Sequence, residues 1–416
     1  MFMLGFRCLL SDKSMIAKTW FLIVCFALTT LFYQCSPKKE TEVKSANENS
    51  SREATIDKLS IHHALPNDVK VPADNPQTPE KIELGRLLFY DPVLSGNKDV
   101  ACATCHHPSN GYAEYRDLSI GVNGRGFGSS REFNKPNDIP FVKRNAQTIL
   151  NSAFNGMDIY NDYDPENAPM FWDVRSKSLE SQSLEPLLAM EEMRGKRFTK
   201  EEILAEVTRR LINIPEYVSL FEEAFINEQE PINTENLAKS MAAFERTLIT
   251  NNSRFDQYLK GDSEAISLSE KEGFKVFNEA GCGNCHNGAM FSDFKPHVLG
   301  VPTNPKLSTF DKGIGEEYGF RTASLRNLRF TAPYMHNGQF NTLKEVLEFY
   351  EDIAGGKEKH PEVKKDQYDP LINDLRLSVK DMGPILSFLN SLSDEDFDKK
   401  VPHRVPSGLP VGGNLK

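Results

Sequence analysis

The pentapeptide Cys-x-x-Cys-His occurs twice in this chain, as Cys102-Ala103-Thr104-Cys105-His106 and as Cys282-Gly283-Asn284-Cys285-His286. The spacing has a specific chemical use: two thiols add across the vinyl groups of a haem, and the following imidazole turns under the iron as its proximal ligand. A chain with two such sites must fold around two flat macrocycles. The rival reading, Cys-x-x-Cys pairs for redox or zinc chemistry, requires the four thiols to converge and leaves both histidines unexplained. Cys102, Cys105, Cys282 and Cys285 are therefore the expected attachment residues, His106 and His286 the expected iron ligands, and two covalently bound haem c the expected cofactors.

Cysteine use outside the motifs is confined to Cys8, Cys25 and Cys35. All three lie in the first 35 residues, where Lys18 precedes an apolar run from Trp20 to Leu28 of signal-peptide length. Residues 1–34 read as a signal peptide or lipoprotein leader and imply export to the periplasm, which fits covalent haem attachment outside the cytoplasmic membrane. Leu31-Phe32-Tyr33-Gln34-Cys35 is a loose lipoprotein box, with Cys35 as the acylated, membrane-anchoring N-terminus. The bulky residues before Cys35 depart from the usual small ones, so plain cleavage or a retained anchor is the other reading. The formal charge is −10. Such an acidic chain argues against nucleic acid as a partner and suits the steering of a basic redox partner, although a solvated acidic surface needs no partner at all.

Helical patterns dominate the rest. Thr78-Pro79 opens a helix with Leu84, Leu87 and Leu88 on one face before Cys102. Thr199 to Glu202, Ser267 to Glu270 and Thr342 to Glu345 read as capping boxes. Leu237, Met241, Phe244 and Leu248 mark a further helix, and Ile385, Leu386 and Leu389 the last. The expected class is all-α, with two cytochrome c-like haem domains packed around an inter-haem interface. The expected division is a leader (1–34), a tether and N-terminal extension (35–77), an N-terminal peroxidatic haem domain (78–249), a C-terminal electron-transfer haem domain (250–395) and a C-terminal tail (396–416). The boundary is expected within 250–265. Residues 108–143, rich in Gly, Asn and Asp, form a long loop directly after the first motif, a position that favours covering a haem.

From about Thr78 to about Leu392 the chain resembles the bacterial di-haem cytochrome c peroxidases and their MauG-type relatives. The likeness rests on both haem motifs in order, Arg144-Asn145, Phe171-Trp172-Asp173-x-Arg175, then Gln182, Pro186 and Glu192-Met193, and after the second motif Leu325-Arg326-Asn327 and Thr331-Ala332-Pro333-Tyr334-Met335-His336-Asn337-Gly338. The resemblance implies that the His106 haem is peroxidatic and that the His286 haem receives and stores electrons. It implies that Trp172 relays charge between them, that Glu192 moves a proton over the open iron face, and that Gln182 lines the same pocket. Taken alone, Trp172 has a core residue as its lesser rival reading, whereas Glu192, beside Glu191 and Met193, reads as a surface carboxylate. Asn145 with the carbonyls of Thr331 and Pro333 is similar to the family's inter-haem calcium site; hard oxygen donors of this kind suit calcium. Family members are often homodimers, and no residue pattern fixes an interface.

Two departures bear on the subtype. In the classical peroxidases a His in the loop after the first haem caps the iron at rest; residues 108–143 contain none, so an open N-terminal haem is expected. The classical family also carries a Met ligand to the second iron, some 14 residues after the signature His. The same count from His336 reaches Tyr350, as in MauG-type proteins. Met335 and Met290 compete for that role, with Met190 and Met382 as remote candidates. His62, His63, His297, His360 and His403 lack any partner pattern and read as surface or locally satisfied residues. The leading function is a di-haem c-type peroxidase that reduces hydrogen peroxide with electrons from a small periplasmic cytochrome c or cupredoxin. The alternatives are a MauG-like peroxide-dependent oxidase of a protein or small molecule, and a non-catalytic di-haem electron-transfer cytochrome.

Overall fold

The computed structural model describes residues 61–416. The leader, Cys35 and most of the tether, on which the export and lipidation expectations fall, lie outside the described residues. Among the described residues no helix is long and apolar enough to cross a membrane.

The chain builds ten α-helices among these residues: α1 (Pro79–Tyr90), α2 (Cys102–Cys105), α3 (Leu179–Leu188), α4 (Ile203–Ile212), α5 (Pro215–Ala224), α6 (Thr234–Glu245), α7 (Arg254–Leu259), α8 (Leu268–Glu279), α9 (Leu343–Ala354) and α10 (Val379–Ser391). The expectation of an all-α chain needs one correction. Two short antiparallel ribbons are present, β1 (Gly124–Arg125) with β2 (Glu132–Phe133) and β3 (Pro296–His297) with β4 (Phe320–Arg321). Each pins the base of a long connection whose sequence offers no helical stripe.

Caps fix where several helices begin. Thr78 accepts from the Lys81 N–H, with Pro79 at the first helical position. Ser267 with Glu270 and Thr342 with Glu345 form reciprocal capping boxes. At Thr199 only half of the expected box forms: Glu202 accepts from the Thr199 N–H, and regular helix starts at Ile203.

The two halves are built by a repeated device. In each, a helix leading into the haem motif crosses a second helix at a glycine. A β-carbon on Gly85 of α1 would lie 1.9 Å from the Ser240 carbonyl oxygen of α6, and one on Gly273 of α8 would lie 2.0 Å from the Pro384 carbonyl oxygen of α10. Only hydrogen at these positions allows backbones to approach so closely. Around the first crossing Leu84, Leu88, Val207, Leu211, Phe221 and Met241 form one core; around the second, Phe255, Phe274, Phe277, Phe388 and Leu389 form another.

The stretch 250–265, expected as the boundary, carries α7 and fastens both halves. Asn151 donates to the Thr250 carbonyl at 2.9 Å and to its Oγ1 at 2.6 Å, and Asn327 donates to the same Oγ1 at 2.7 Å. Arg326 clamps Asp256 through two bonds of 2.8 Å, with both side chains fully buried. The C-terminal tail returns to the first half. The Gly412 N–H donates to the Tyr90 carbonyl, Thr104 of the first haem motif donates to the Gly412 carbonyl at 2.7 Å, and Arg131 donates to Asn414.

Candidate functional site: two haem pockets sharing one cavity

Each haem motif occupies a single helical turn. The His106 N–H donates to the Cys102 carbonyl at 2.9 Å and the His286 N–H to the Cys282 carbonyl at 3.0 Å. The turn places both thiols on one side, with the imidazole following. The ring orientation is fixed identically in the two copies: Nδ1 of His106 lies 3.1 Å from the Tyr112 carbonyl oxygen and Nδ1 of His286 lies 3.0 Å from that of Phe291. An Nδ1–H bonded to a carbonyl leaves Nε2 as the basic nitrogen, the usual arrangement of a histidine that ligates a metal. Burial pushes the Cys102 and Cys282 thiols up to about 12 and Cys105 well above its ordinary value. Thiols so disfavoured as thiolates do not suit redox exchange. All four are free, and among the described residues no grouping brings them together as a zinc site would require.

Both motifs open on one cavity of about 780 Å³, lined by residues of both halves. Its walls include Cys102, Cys105, His106, Asn145, Trp172, Gln182 and Glu192 from the first half, and Cys282, Cys285, His286, Thr331, Pro333, His336 and Tyr350 from the second. Thiol pairs, basic Nε2 atoms and a void of this size suit two macrocycles. The residues expected to attach haem, ligate iron, handle peroxide or hold calcium therefore line the same space.

On the first side, Glu192 lies in a π-helical turn, Met190–Arg194. The loop after the first haem motif lies across this turn, with the Val122 N–H donating to the Glu192 carbonyl at 3.0 Å. Burial raises the Glu192 carboxyl to about 7; Arg175 opposes the shift and Glu191 adds to it. Gln182, on α3, has a buried Oε1 without a hydrogen-bond partner. The histidines that line the cavity are His106, His286, His297, His336 and His360. None comes from the loop 108–143.

Trp172 is held where the halves meet. Its Nε1–H donates to the Asn145 carbonyl at 3.1 Å and its own carbonyl accepts from the Arg321 N–H. The His336 ring meets it edge-on at 6.4 Å and stacks on Phe320 at 3.6 Å. Burial lowers the His336 imidazole to about 3, so it is neutral. The Asn145 N–H donates to the His336 carbonyl, and its amide nitrogen donates to the Arg116 carbonyl at 2.7 Å and the Asp117 carbonyl at 3.3 Å. Arg144 joins Asp173 of the first half to Asp311 of the second at 2.6 Å each.

On the second side Tyr350 projects from α9 into the cavity, and burial followed by the nearby Cys285 and Cys282 raises its hydroxyl above the ordinary value. Of its rivals, Met290 and Met335 line the cavity, whereas Met382 is buried in the second core and Met190 lies in the π-helical turn of the first half. Of the isolated histidines, His360 meets Thr303 Oγ1 at 3.1 Å, whereas His62 stacks on Phe291 at 4.8 Å and reaches Asn278 Oδ1 through Nε2 at 3.3 Å while its buried Nδ1 has no partner. His297 is held more firmly, with Nδ1 2.6 Å from Asp369 and Nε2 3.0 Å from Asp293.

Sequence reasoning missed two buried acids of the first half, Glu114 and Glu245. Burial raises the first to about 7 and the second to about 8. Glu245 had a legible signal, since it stands four residues after Met241 on the apolar stripe of α6.

Fold and site together define a c-type cytochrome with two haem attachment sites in one helical body. Residues 79–264 match the family described as di-haem cytochrome c peroxidase. The chain is 32% identical over 389 residues to the methylamine utilization protein MauG of Methylorubrum extorquens, which covers 90% of this chain and 94% of the relative. It is 32% identical over 344 residues to cytochrome c551 peroxidase of Pseudomonas aeruginosa, with 80% and 84% covered. Among solved structures, a MauG-like protein associated with microbial copper homeostasis superposes with a TM-score of 0.64 at 28% identity, covering 80% of this chain and 95% of that one. The diheme peroxidase BthA of Burkholderia thailandensis shares the fold, with a TM-score of 0.60 at 20% identity over 83% and 98% of the two chains. The chain belongs to the di-haem cytochrome c peroxidase and MauG family.

Proposed function

We propose that this protein is a periplasmic di-haem peroxidase that reduces hydrogen peroxide with electrons from a small cytochrome c or cupredoxin. The carrying observation is the wall of the His106 pocket. There a desolvated carboxyl, Glu192, and an amide with an unpartnered oxygen, Gln182, share the cavity with an imidazole whose Nδ1 is already committed. With no histidine available from the 108–143 loop, the face opposite His106 is free for a small ligand.

When bound, the two haems supply the redox chemistry, His106 and His286 ligating their irons and the four cysteines fixing them covalently. Glu192 accepts the proton of one peroxide oxygen and returns it to the other, since its affinity near neutrality lets it do both. Gln182 orients the peroxide by hydrogen bonding. Trp172, fixed by its bond to Asn145, carries charge between a first haem domain over 78–249 and a second over 250–395. Tyr350 would join His286 in holding the iron on the second side, where a phenolate would favour the ferric state. Asn145, its amide nitrogen spent on two carbonyls, offers its amide oxygen to a calcium ion together with the carbonyls of Thr331 and Pro333. Export fits the leader, and Cys35 is the site of a lipid anchor if one is added.

The MauG-like reading, peroxide-driven oxidation of a protein or small molecule, is favoured by Tyr350 and by the long match to MauG. Anaerobic peroxide titration of the holoprotein, with and without reduced cytochrome c, separates the readings. Rapid oxidation of the donor supports the peroxidase. Peroxide consumption that leaves the donor reduced supports the oxidase. Failure of peroxide and cyanide to perturb either haem spectrum leaves only an electron-transfer cytochrome. Electron paramagnetic resonance of the oxidised protein should show one high-spin and one low-spin haem; low-spin signals alone would refute the open pocket.

A further inference from the structure

Reducing one hydrogen peroxide to two waters consumes two protons and two electrons. Glu192 can shuttle the proton that peroxide itself brings, so the two consumed protons need another source. We propose that Glu245 is a second proton-holding group of the peroxide pocket, storing a proton in the cavity and releasing it as the O–O bond breaks. The proposal rests on the peroxidase reading above.

Glu245 is the last residue of α6 and only 6% exposed, yet it lines the same cavity as Glu192 and Gln182, on the side of Cys102. Its Oε2 is buried without a hydrogen-bond partner. The adjacent cation is already committed: Arg246 makes a bidentate pair with Glu180 of α3, at 2.6 and 2.9 Å. On α1, Arg86 lies over the Phe244 ring and pairs with Asp398 at 2.7 Å. The remaining titratable neighbour is Cys102, which carries no charge once bound to haem. A carboxylate so placed would be a buried charge whose one nearby cation, Arg246, is already shared with Glu180, at a desolvation cost. The protonated acid removes that cost and turns the side chain into a donor facing the cavity. Burial accordingly raises its affinity to about 8. In the balanced step Glu245 supplies one of the two protons, which passes through Glu192 or pocket water to the departing oxygen so that it leaves as water. The second proton comes from solvent, the donor protein supplies the two electrons that complete the second water, and the carboxylate left behind reloads from solvent.

The test uses the holoprotein with Glu245→Gln and Glu245→Asp, read by infrared spectroscopy across pH and by steady-state peroxide reduction with reduced cytochrome c. In the wild type a protonated-carboxyl C=O band should disappear as pH rises through about 8, and Glu245→Gln should lack it. Glu245→Gln should lower kcat about tenfold, less than the roughly 10² lost with a direct general acid. The variant should also lose the alkaline limb of the pH profile, while Glu245→Asp restores part of both. Retention of the band in Glu245→Gln, or an unchanged kcat and pH profile, overturns the proposal. So does equal impairment in Gln and Asp variants, which would mark a packing role. If Glu245→Gln fails to fold, Glu245→Asp decides alone, by whether its band and alkaline limb move together. A wild-type protein that reduces no peroxide overturns the peroxidase reading and the proton store with it; a competent wild type beside an indifferent Glu245→Gln overturns only the store.

Discussion

Around Cys102 and Cys105 the buried acids lack strong counter-ions, whereas beside Cys285 both aspartates grip the same imidazole. Glu114, Glu192 and Glu245 are raised to between about 7 and about 8, chiefly by burial. Asp293 and Asp369 instead hold His297 between them, and burial of Asp293 is outweighed by its bonds to His297 and Thr322, so its carboxyl is lowered. The two pockets share their backbone plan down to the carbonyl that orients each proximal histidine. They differ in what happens to protons near neutral pH. In the first, Glu192 and Glu245 line the cavity, with Glu114 buried behind it, and all three are raised into the range where they can exchange protons; in the second, the carboxylates beside Cys285 are engaged with His297. In a peroxidase this is the division expected between a site that makes water and a site that passes electrons.

The most direct way to break this comparison is Glu192→Gln. We expect kcat for peroxide reduction to fall roughly 10²–10⁴-fold. The acidic limb of the wild-type profile, which reports a carboxylate that must be free to accept, should vanish with it. Stopped-flow peroxide mixing gives both quantities, and an unchanged rate would transfer proton handling to another group.

A second change tests whether the pockets can be separated at all. Arg326→Met removes one partner of the fully buried pair with Asp256 and should cost about 3–5 kcal/mol. Because α7 is tied to Asn151 and Asn327 through Thr250, both halves should melt in one calorimetric transition at lower temperature. Two transitions would show that the halves fold independently.

Much of this plan was legible in the chain. The haem motifs, three of the capping signals and the apolar stripes of α1, α6 and α10 are local patterns, and local patterns survive in sequence. Gathering Trp172, Glu192, His336 and Tyr350 at one cavity was legible only through the family resemblance, because no spacing links residues that far apart. That the stretch expected as the boundary, 250–265, also carries buried ties was not legible, for a physical reason. Asn, Ser and Asp are turn formers when exposed, but Ser253 and Asp256 here cap α7 while Asp256 and Thr250 satisfy buried partners across the molecule. The carboxylate clamp on His297 was invisible because Asp369 approaches from 72 positions away.

Tyr350→Phe sharpens the comparison without touching proton chemistry. It should alter the low-spin haem spectrum and shift the second haem toward reduction, leaving the high-spin signal of the first in place. A low-spin spectrum identical to wild type would return the ligand role to Met335 or Met290.

The smallest effect is expected from the most strongly held charge. Burial pushes the His297 imidazole down, but its bonds to Asp293, Cys285 and Asp369 outweigh this and raise it to about 11. A histidine raised on folding contributes stability that is complete below its unfolded value, about 6.5. That contribution is lost progressively as pH climbs to the folded value. His297→Gln should therefore melt below the wild type at pH about 6, and the gap should narrow steadily toward pH about 10. If haem attachment turns Cys285 into a thioether, as proposed, it contributes no thiolate, the shift is smaller than that value and the two aspartates set the size of the gap, so Asp369→Asn should remove much of it. A gap that stays constant with pH would mean that the imidazole is neutral in the folded protein. The second pocket would then hold a group able to titrate, and the contrast between the two haem sites would rest on Tyr350 alone.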